Sequence, residues 1–592
     1  MPETPSSALP RQIADAYVDA LIDLDPVAGT YLGVPESAGR LPDFSPAGLE
    51  ATAALTRATL ARLDLAEGLP GAAADQERRC ARLLRERLTA SLAVHEAGEG
   101  LRAVSNLRSP VHSVRSVFTV MATESKADWA AVAERLRAVP EALGGYRAAL
   151  TLGLERGLPA GPRATAAVVG QLAKWSGAAD AEDTRATKGA AEQDGSTAGA
   201  AKPPAGGGRS WFEDFVSGGP DDLRAELEDA AQVATAAFVG LHDWMRDVYA
   251  PAIASAPDTV GRERYARWSR YFLGIDLDLD DAYAYGWSEF HRLLDEMRTE
   301  ADKILPGADP WEAIAHLDEH GTHIEGVEEV RLWLQKLMDE AVEALDGTHF
   351  ELAERVRKVE SRIAPVGSAA APYYTGPSED FSRPGQTWLP TMGKTRFPVY
   401  DLVSTWYHEG VPGHHLQLAQ WAHVADQLSR YQATVGGVSA NVEGWALYAE
   451  RLMDELGFLP DPERRLGYLN AQMMRACRVI IDIGMHLGLA IPADSPFHPG
   501  EPWTPALAQE FFGHYAGHPA EFVESELTRY LSVPGQAIGY KLGERAWLQG
   551  RENARAARAA RGEVFDAKAW HMAALSQGSL GLDDLVDELS RL

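Results

Sequence analysis

Apolar residues recur at three- and four-residue spacing along most of the chain, the period of a helix with one buried face. The pattern predicts helices over 13–24, 49–65, 73–97, 126–156, 221–249, 328–345, 464–490 and 505–515. Alternating runs of Val, Ile, Thr and aromatics are scarce. Short extended pieces are expected only around 362–374 and 387–398, where Pro and Gly interrupt any helix. The expected fold class is mainly α, with at most a small β-sheet.

One stretch breaks the pattern. Residues 176–210 are nearly all Gly, Ala, Ser, Thr, Asp, Glu and Lys and include Pro203-Pro204-Ala205-Gly206-Gly207-Gly208. Such a segment lacks the apolar groups that offset the entropy of ordering and reads as a mobile insertion. It divides the chain into an N-terminal helical region (1–175), the insertion (176–210) and a helical region (211–592) that holds the candidate chemistry.

Composition narrows the function classes. Over 592 residues, 45% are hydrophobic and 24% charged, ordinary values for a globular protein. The net charge of −29 argues against a nucleic-acid partner, because phosphate binding needs a basic face. Cys80 and Cys477 lie far apart in helical contexts and read as free, buried thiols. The start, Met1-Pro2-Glu3-Thr4-Pro5, has no basic stretch leading into an apolar one, and no window approaches the roughly 20 apolar residues of a membrane span. A cytoplasmic protein with no membrane partner is the expectation.

The densest chemistry lies at His408-Glu409-Gly410-Val411-Pro412-Gly413-His414-His415. A catalytic zinc needs three ligands from His, Glu or Asp and an open position, and a hydrolase also needs a carboxylate beside it as base. The usual solution is H-E-x-x-H on one helix face. Here the fifth position is Pro412. On a regular helix His408 and His414 would sit about 9 Å apart along the axis and about 120° apart around it. His415 would share the face of His408 but lie about 10.5 Å away. Neither pair could hold one ion. Pro412 and Gly413 must therefore interrupt the helix, and the string reads as H-E-x-x-H with two residues inserted. His408 and His414 are then ligands, with His415 the alternative to His414, and Glu409 is the base. Glu443, 29 residues past His414, is the carboxylate ligand expected from a following helix. Glu450, two turns further on the same face, would support the site.

The segment from Tyr407 to Gln417 closely resembles the signature of the bacterial DUF885 proteins. So do Asn441–Tyr448, Arg475–His486 and the strings Arg529-Tyr530, Pro534-Gly535-Gln536-Ala537 and Tyr540-Lys541. That family is grouped with the zincin metallopeptidases and is similar in layout to thimet-like and carboxypeptidase Taq-like enzymes. The resemblance implies a helical shell around a deep cleft and strengthens zinc binding by His408, His414 and Glu443 with Glu409 as base.

Other residues are candidates for the same site. Arg478, Asp482 and His486 form one stripe on an otherwise apolar helix, with His486 a candidate transition-state donor and Arg478 a substrate contact. Tyr540 is the first choice for an oxyanion donor, with Tyr530 and His415 as substrate contacts. Arg383, in a Pro/Gly-rich loop, is a candidate for binding a substrate carboxylate. The function expected is a zinc-dependent hydrolase acting on a peptide. The alternatives are an amide or lactam hydrolase of a small metabolite, and a zincin-like protein that binds peptides without turnover.

Overall fold

The computed structural model describes residues 8–66, 68–72, 74–178, 208–365, 371–378 and 380–592. Helices dominate, and their bounds follow the apolar periodicity closely. Pro10–Leu24, Pro46–Ala66, Asp75–Glu96, Lys126–Glu155, Val327–Leu345, Pro462–Leu487 and Pro505–Tyr515 are all helical. Arg224–Trp244 is helical too and continues through a wider π-type turn to Tyr249. Among the described residues no helix is long and apolar enough to cross a membrane.

The strands are short. β1 (His323–Glu325) pairs antiparallel with β5 (Arg396–Pro398). The three-stranded sheet is centred on β4 (Gly385–Leu389), which runs parallel to β2 (Val359–Ile363) and antiparallel to β3 (Tyr373–Thr375). Its registers place Val359 opposite Gly385 and Tyr373 opposite Trp388. The sheet braces the site from one side, because Trp406 Nε1 donates to Ser361 Oγ at 2.9 Å and ties the Val399–Glu409 helix to β2.

Two main apolar cores form, and both join residues from either side of 176–210. The smaller packs Val111, Leu136 and Tyr146 with Phe212, Phe238 and Tyr249. The larger packs Ile13, Leu63 and Leu83 with Trp406, Trp445, Tyr530 and Leu589. Packing therefore does not follow the 1–175 and 211–592 division, a pairing that local composition does not encode. Of the insertion itself, residues 179–207 lie outside the described residues. Ser176 ends one helix, and Ser210 caps the next by accepting from Glu213 N–H.

At the centre of the larger core lies the Pro462–Leu487 helix, buried on nearly every side between Leu466 and His486. A helix apolar all round belongs in a core, and its few polar side chains need partners. Leu279–Ile304 packs along it, with Gly286 against Val479 and Ile480. Cys80 and Cys477 are free and buried.

Candidate metal centre

The Val399–Glu409 helix stops at Glu409, and a new helix starts at His414. Between them Gly410 (φ −101°, ψ −121°) and Gly413 (φ −76°, ψ −129°) leave the helical region, and the Val411–Pro412 peptide is cis. The break is tight. Gly413 N–H donates to Tyr407 O at 3.0 Å, and a Cβ on Gly413 would stand 1.9 Å from His408 O, so only glycine fits. Trp445, on the Ser439–Glu455 helix, clamps the turn, its Nε1 donating to Pro412 O at 2.9 Å and Gly413 O at 3.0 Å. The interruption expected between 408 and 414 is thus present, and it brings the two imidazoles to a centroid separation of 4.7 Å.

Glu443 comes from the Ser439–Glu455 helix. Its Oε2 lies 3.5 Å from His408 Nε2 and 3.5 Å from His414 Nε2. Glu409 adds a second carboxylate: His408, Glu409 and His414 present ligand atoms within 4.8 Å of one another. Glu443 Oε2 is buried without a hydrogen-bond partner among the described residues. A buried carboxylate oxygen in that condition is costly unless a cation completes it. Two atoms each about 2.0–2.2 Å from a tetrahedral ion stand about 3.3–3.6 Å apart, so the observed 3.5 Å spacings suit one metal ion.

His408 is oriented from behind. Its Nδ1 is 2.7 Å from Glu450 Oε1, and Glu450 Oε2 accepts from Ser404 Oγ at 2.6 Å and from Gln472 Nε2 at 3.3 Å. A carboxylate on Nδ1 fixes the tautomer and turns Nε2 toward Glu443. Burial works against the charged imidazole, but Glu443 and Glu450 outweigh it and lift the His408 pKa to about 9. Burial also works against the Glu443 carboxylate, yet the two nearby imidazoles, His408 and His414, hold its pKa well below the usual range. The pair therefore favours a charged imidazole on His408 beside a charged carboxylate on Glu443. Glu409 is different: burial raises its pKa, with only partial relief from His414 and His408. A raised proton affinity is what a general base needs.

The Gly539–Ala560 helix packs against the Ser439–Glu455 helix. Its approach to the Glu443 helix is set by glycines, since a Cβ on Gly444 would stand 2.4 Å from Gly543 Cα. The contact brings Tyr540 close enough for Glu443 to act on its hydroxyl. Burial first, then Glu443, pushes the Tyr540 pKa up to about 12, so the hydroxyl stays protonated and able to donate. Arg478 Cζ lies 4.9 Å from the Tyr540 ring centroid.

Several sequence candidates are engaged elsewhere. Arg478 donates to Tyr530 Oη and Glu526 Oε2, each at 2.8 Å, and the Tyr530 hydroxyl donates to Glu526 Oε2 at 2.6 Å. Both are buried members of a closed ion network, which corrects their reading as free substrate contacts. His486 is also corrected. Val260 N–H donates to its Nδ1 at 3.2 Å, and its Nε2 pairs with Tyr530 O at 3.1 Å, leaving no ring nitrogen for a transition state. Burial lowers its pKa to about 4. His415 is fully buried, with Nε2 2.7 Å from Val356 O and Nδ1 3.0 Å from Tyr374 Oη. It joins the helix to the sheet with both ring nitrogens engaged, and it is not among the residues whose ligand atoms cluster. Arg383 lies on an exposed loop, its backbone N–H donating to Ser378 Oγ. Among the described residues no contact joins it to the cluster.

The sequence reading missed Trp445, Gln472 and Arg475. Arg475 Nη2 lies 3.8 Å from Glu450 Oε1, its Nη1 donates to Ala471 O, and its buried Nε has no partner among the described residues. The available signal was position: Gln472 and Arg475 are polar residues one turn apart, leading up to Arg478, on a helix that is otherwise core.

A search of curated proteins finds no match. Two solved structures share the fold. A candidate lipoprotein from Colwellia psychrerythraea is 20% identical, with a TM-score of 0.75 and 99% of each chain covered. A candidate lipoprotein of unknown function from Shewanella oneidensis is 19% identical, with a TM-score of 0.71, covering 98% of this chain and 100% of that one. Residues 26–589 match the family described as bacterial protein of unknown function (DUF885), and with nearly the whole length matched the chain belongs to that family.

Proposed function

We propose that the protein is a zinc-dependent hydrolase that cleaves peptide bonds, with His408, His414 and Glu443 as ligands and Glu409 as general base. The observation that carries the reading is the unpartnered Glu443 Oε2, 3.5 Å from the Nε2 of both histidines. Two imidazoles and a carboxylate are a donor set suited to zinc. When bound, zinc would supply an acidified water and polarise the substrate carbonyl. Glu409, its proton affinity raised by burial, takes the proton from the attacking water and returns it to the leaving nitrogen. The Tyr540 hydroxyl donates to the oxygen on which negative charge develops. Glu450 holds His408 in the required tautomer throughout. The cytoplasm is the proposed location, to be checked by cell fractionation.

The test is metal content joined to mutagenesis. Purified protein should carry or take up about one zinc per chain. Glu409→Gln should keep the zinc and lose roughly 10²- to 10⁴-fold in turnover of a peptide library, whereas Glu443→Gln should lose zinc. Protein that neither carries nor accepts zinc would end the proposal, and reversed behaviour of the two variants would exchange their roles.

A further inference from the structure

Lys541 is the most completely buried cation near the site, with 0% of its surface exposed. A buried ammonium is tolerated only when its hydrogens and its charge are met. Here Nζ donates to Glu544 Oε2 at 2.6 Å, Glu289 Oε2 at 3.1 Å and Gln472 Oε1 at 2.7 Å. Three donors meet three acceptors. The two carboxylates balance the charge. The amide oxygen contributes none, so its effect lies in direction.

An amide has one accepting end and one donating end. Because Lys541 occupies Oε1, the Gln472 NH₂ faces the other way, toward Glu450 Oε2 at 3.3 Å. Glu450 then receives Gln472 and Ser404 on Oε2, and Oε1 is left for His408 Nδ1. Turned over, the amide would set its oxygen against a carboxylate and its NH₂ against an ammonium, so both contacts would become repulsive. Lys541 thus selects one of the two orientations, and the choice passes through Gln472 and Glu450 to the imidazole. The chain crosses four helices: Gly539–Ala560, Pro462–Leu487, Ser439–Glu455 and Val399–Glu409. The same anchor fixes the first turn of the helix that carries Tyr540.

We propose that Lys541 is a positioning residue of the metal centre, acting through Gln472 and Glu450 to hold His408 Nε2 toward Glu443. The inference rests on His408 being a metal ligand, as in the function proposed above.

Zinc alone is the probe, with affinity read by competition against a chromophoric chelator and folding read separately by thermal melts of the metal-free protein. Gln472→Met keeps the side-chain volume and cuts the link while leaving Lys541 between its two carboxylates. It should weaken zinc binding about tenfold, the low end for supporting partners of a metal ligand, with a modest fall in the metal-free melt from the one ammonium hydrogen left unmet. Lys541→Met should weaken zinc at least as much and lower the melt further, because it takes the cation from between Glu289 and Glu544, which keep only Arg292 and Arg451 among the described residues. The double variant should bind zinc no worse than Lys541→Met, since both changes break one chain. Should Lys541→Met fail to fold, Gln472→Met carries the test. Parent-like zinc affinity in Gln472→Met, or losses that add in the double variant, would overturn the role of Lys541 while leaving the hydrolase reading intact. Failure of the parent protein to bind zinc would end both, and is seen before any variant is made.

Discussion

Gly413→Ala tests the placement of His414 by the helix break. A Cβ at this position would lie 1.9 Å from His408 O, 2.4 Å from Tyr407 O and 2.6 Å from His408 C. All three obstacles are backbone atoms at the end of a helix, so no side-chain rotation relieves them. Ordinary contact begins at 3.4 Å, so the two segments must separate by about 1.5 Å. His414 is the next residue and moves with the turn. Metal–ligand distances tolerate only about 0.2 Å, so the Nε2 of His414 can no longer share an ion with that of His408. Loss of a ligand should exceed the roughly 10- to 100-fold cost of losing a supporting partner; a 100-fold loss is about 3 kcal/mol. The assay is a zinc competition titration, with circular dichroism confirming that the helices persist. Gly240→Ala is the control. It lies mid-helix and exposed, with nothing within 4 Å of the added carbon, so it should gain about 0.5–1 kcal/mol and bind zinc as the parent does. A folded Gly413→Ala protein with parent zinc affinity would refute the claim that this close approach positions the ligand.

His414→Ala should abolish zinc binding with modest loss of stability. His415→Ala should instead cost about 2–4 kcal/mol in urea unfolding, by stranding Val356 O and leaving a cavity, with zinc affinity little changed. Burial, then Arg551, lowers the His571 pKa to about 3, below the 6.5 of a free imidazole. The unfolded chain therefore binds a proton that the fold excludes, so this contribution to stability is intact above pH 6.5 and falls as pH drops toward 3. His571→Gln should shrink the stability lost between pH 7 and pH 5 by about 2 kcal/mol; an unchanged difference would show that His571 is not held neutral. Residues 179–207 should be removable with a short linker, because a Cβ on Gly177 would stand only 2.2 Å from Gly208 O and the flanks already meet. A large fall in melting temperature on that deletion would show that the segment packs.

The sequence by itself determined the helices, because their cause is local: a three- to four-residue apolar period survives in any helix that buries one face. It also determined that the string from His408 to His415 could not be one helix, since Pro412 removes a donor and a regular rise separates the histidines too widely. Glu443 was legible at the level of spacing. The tertiary structure decided which polar residues of the buried 462–487 helix face the site. Periodicity put Arg478, Asp482 and His486 on one stripe, but Glu526, Tyr530 and Val260, which occupy Arg478 and His486, arrive from distant segments. The sequence likewise left His414 and His415 open, and the orientation of His415 follows from Val356, in the turn before β2, and Tyr374, in β3, about 40 to 60 residues upstream. Trp445 over the 410–413 turn and Lys541 behind Gln472 carry no local signal at all. A hydrogen bond between remote residues costs loop closure that only the assembled core repays, so no local pattern marks which buried polar group will meet which.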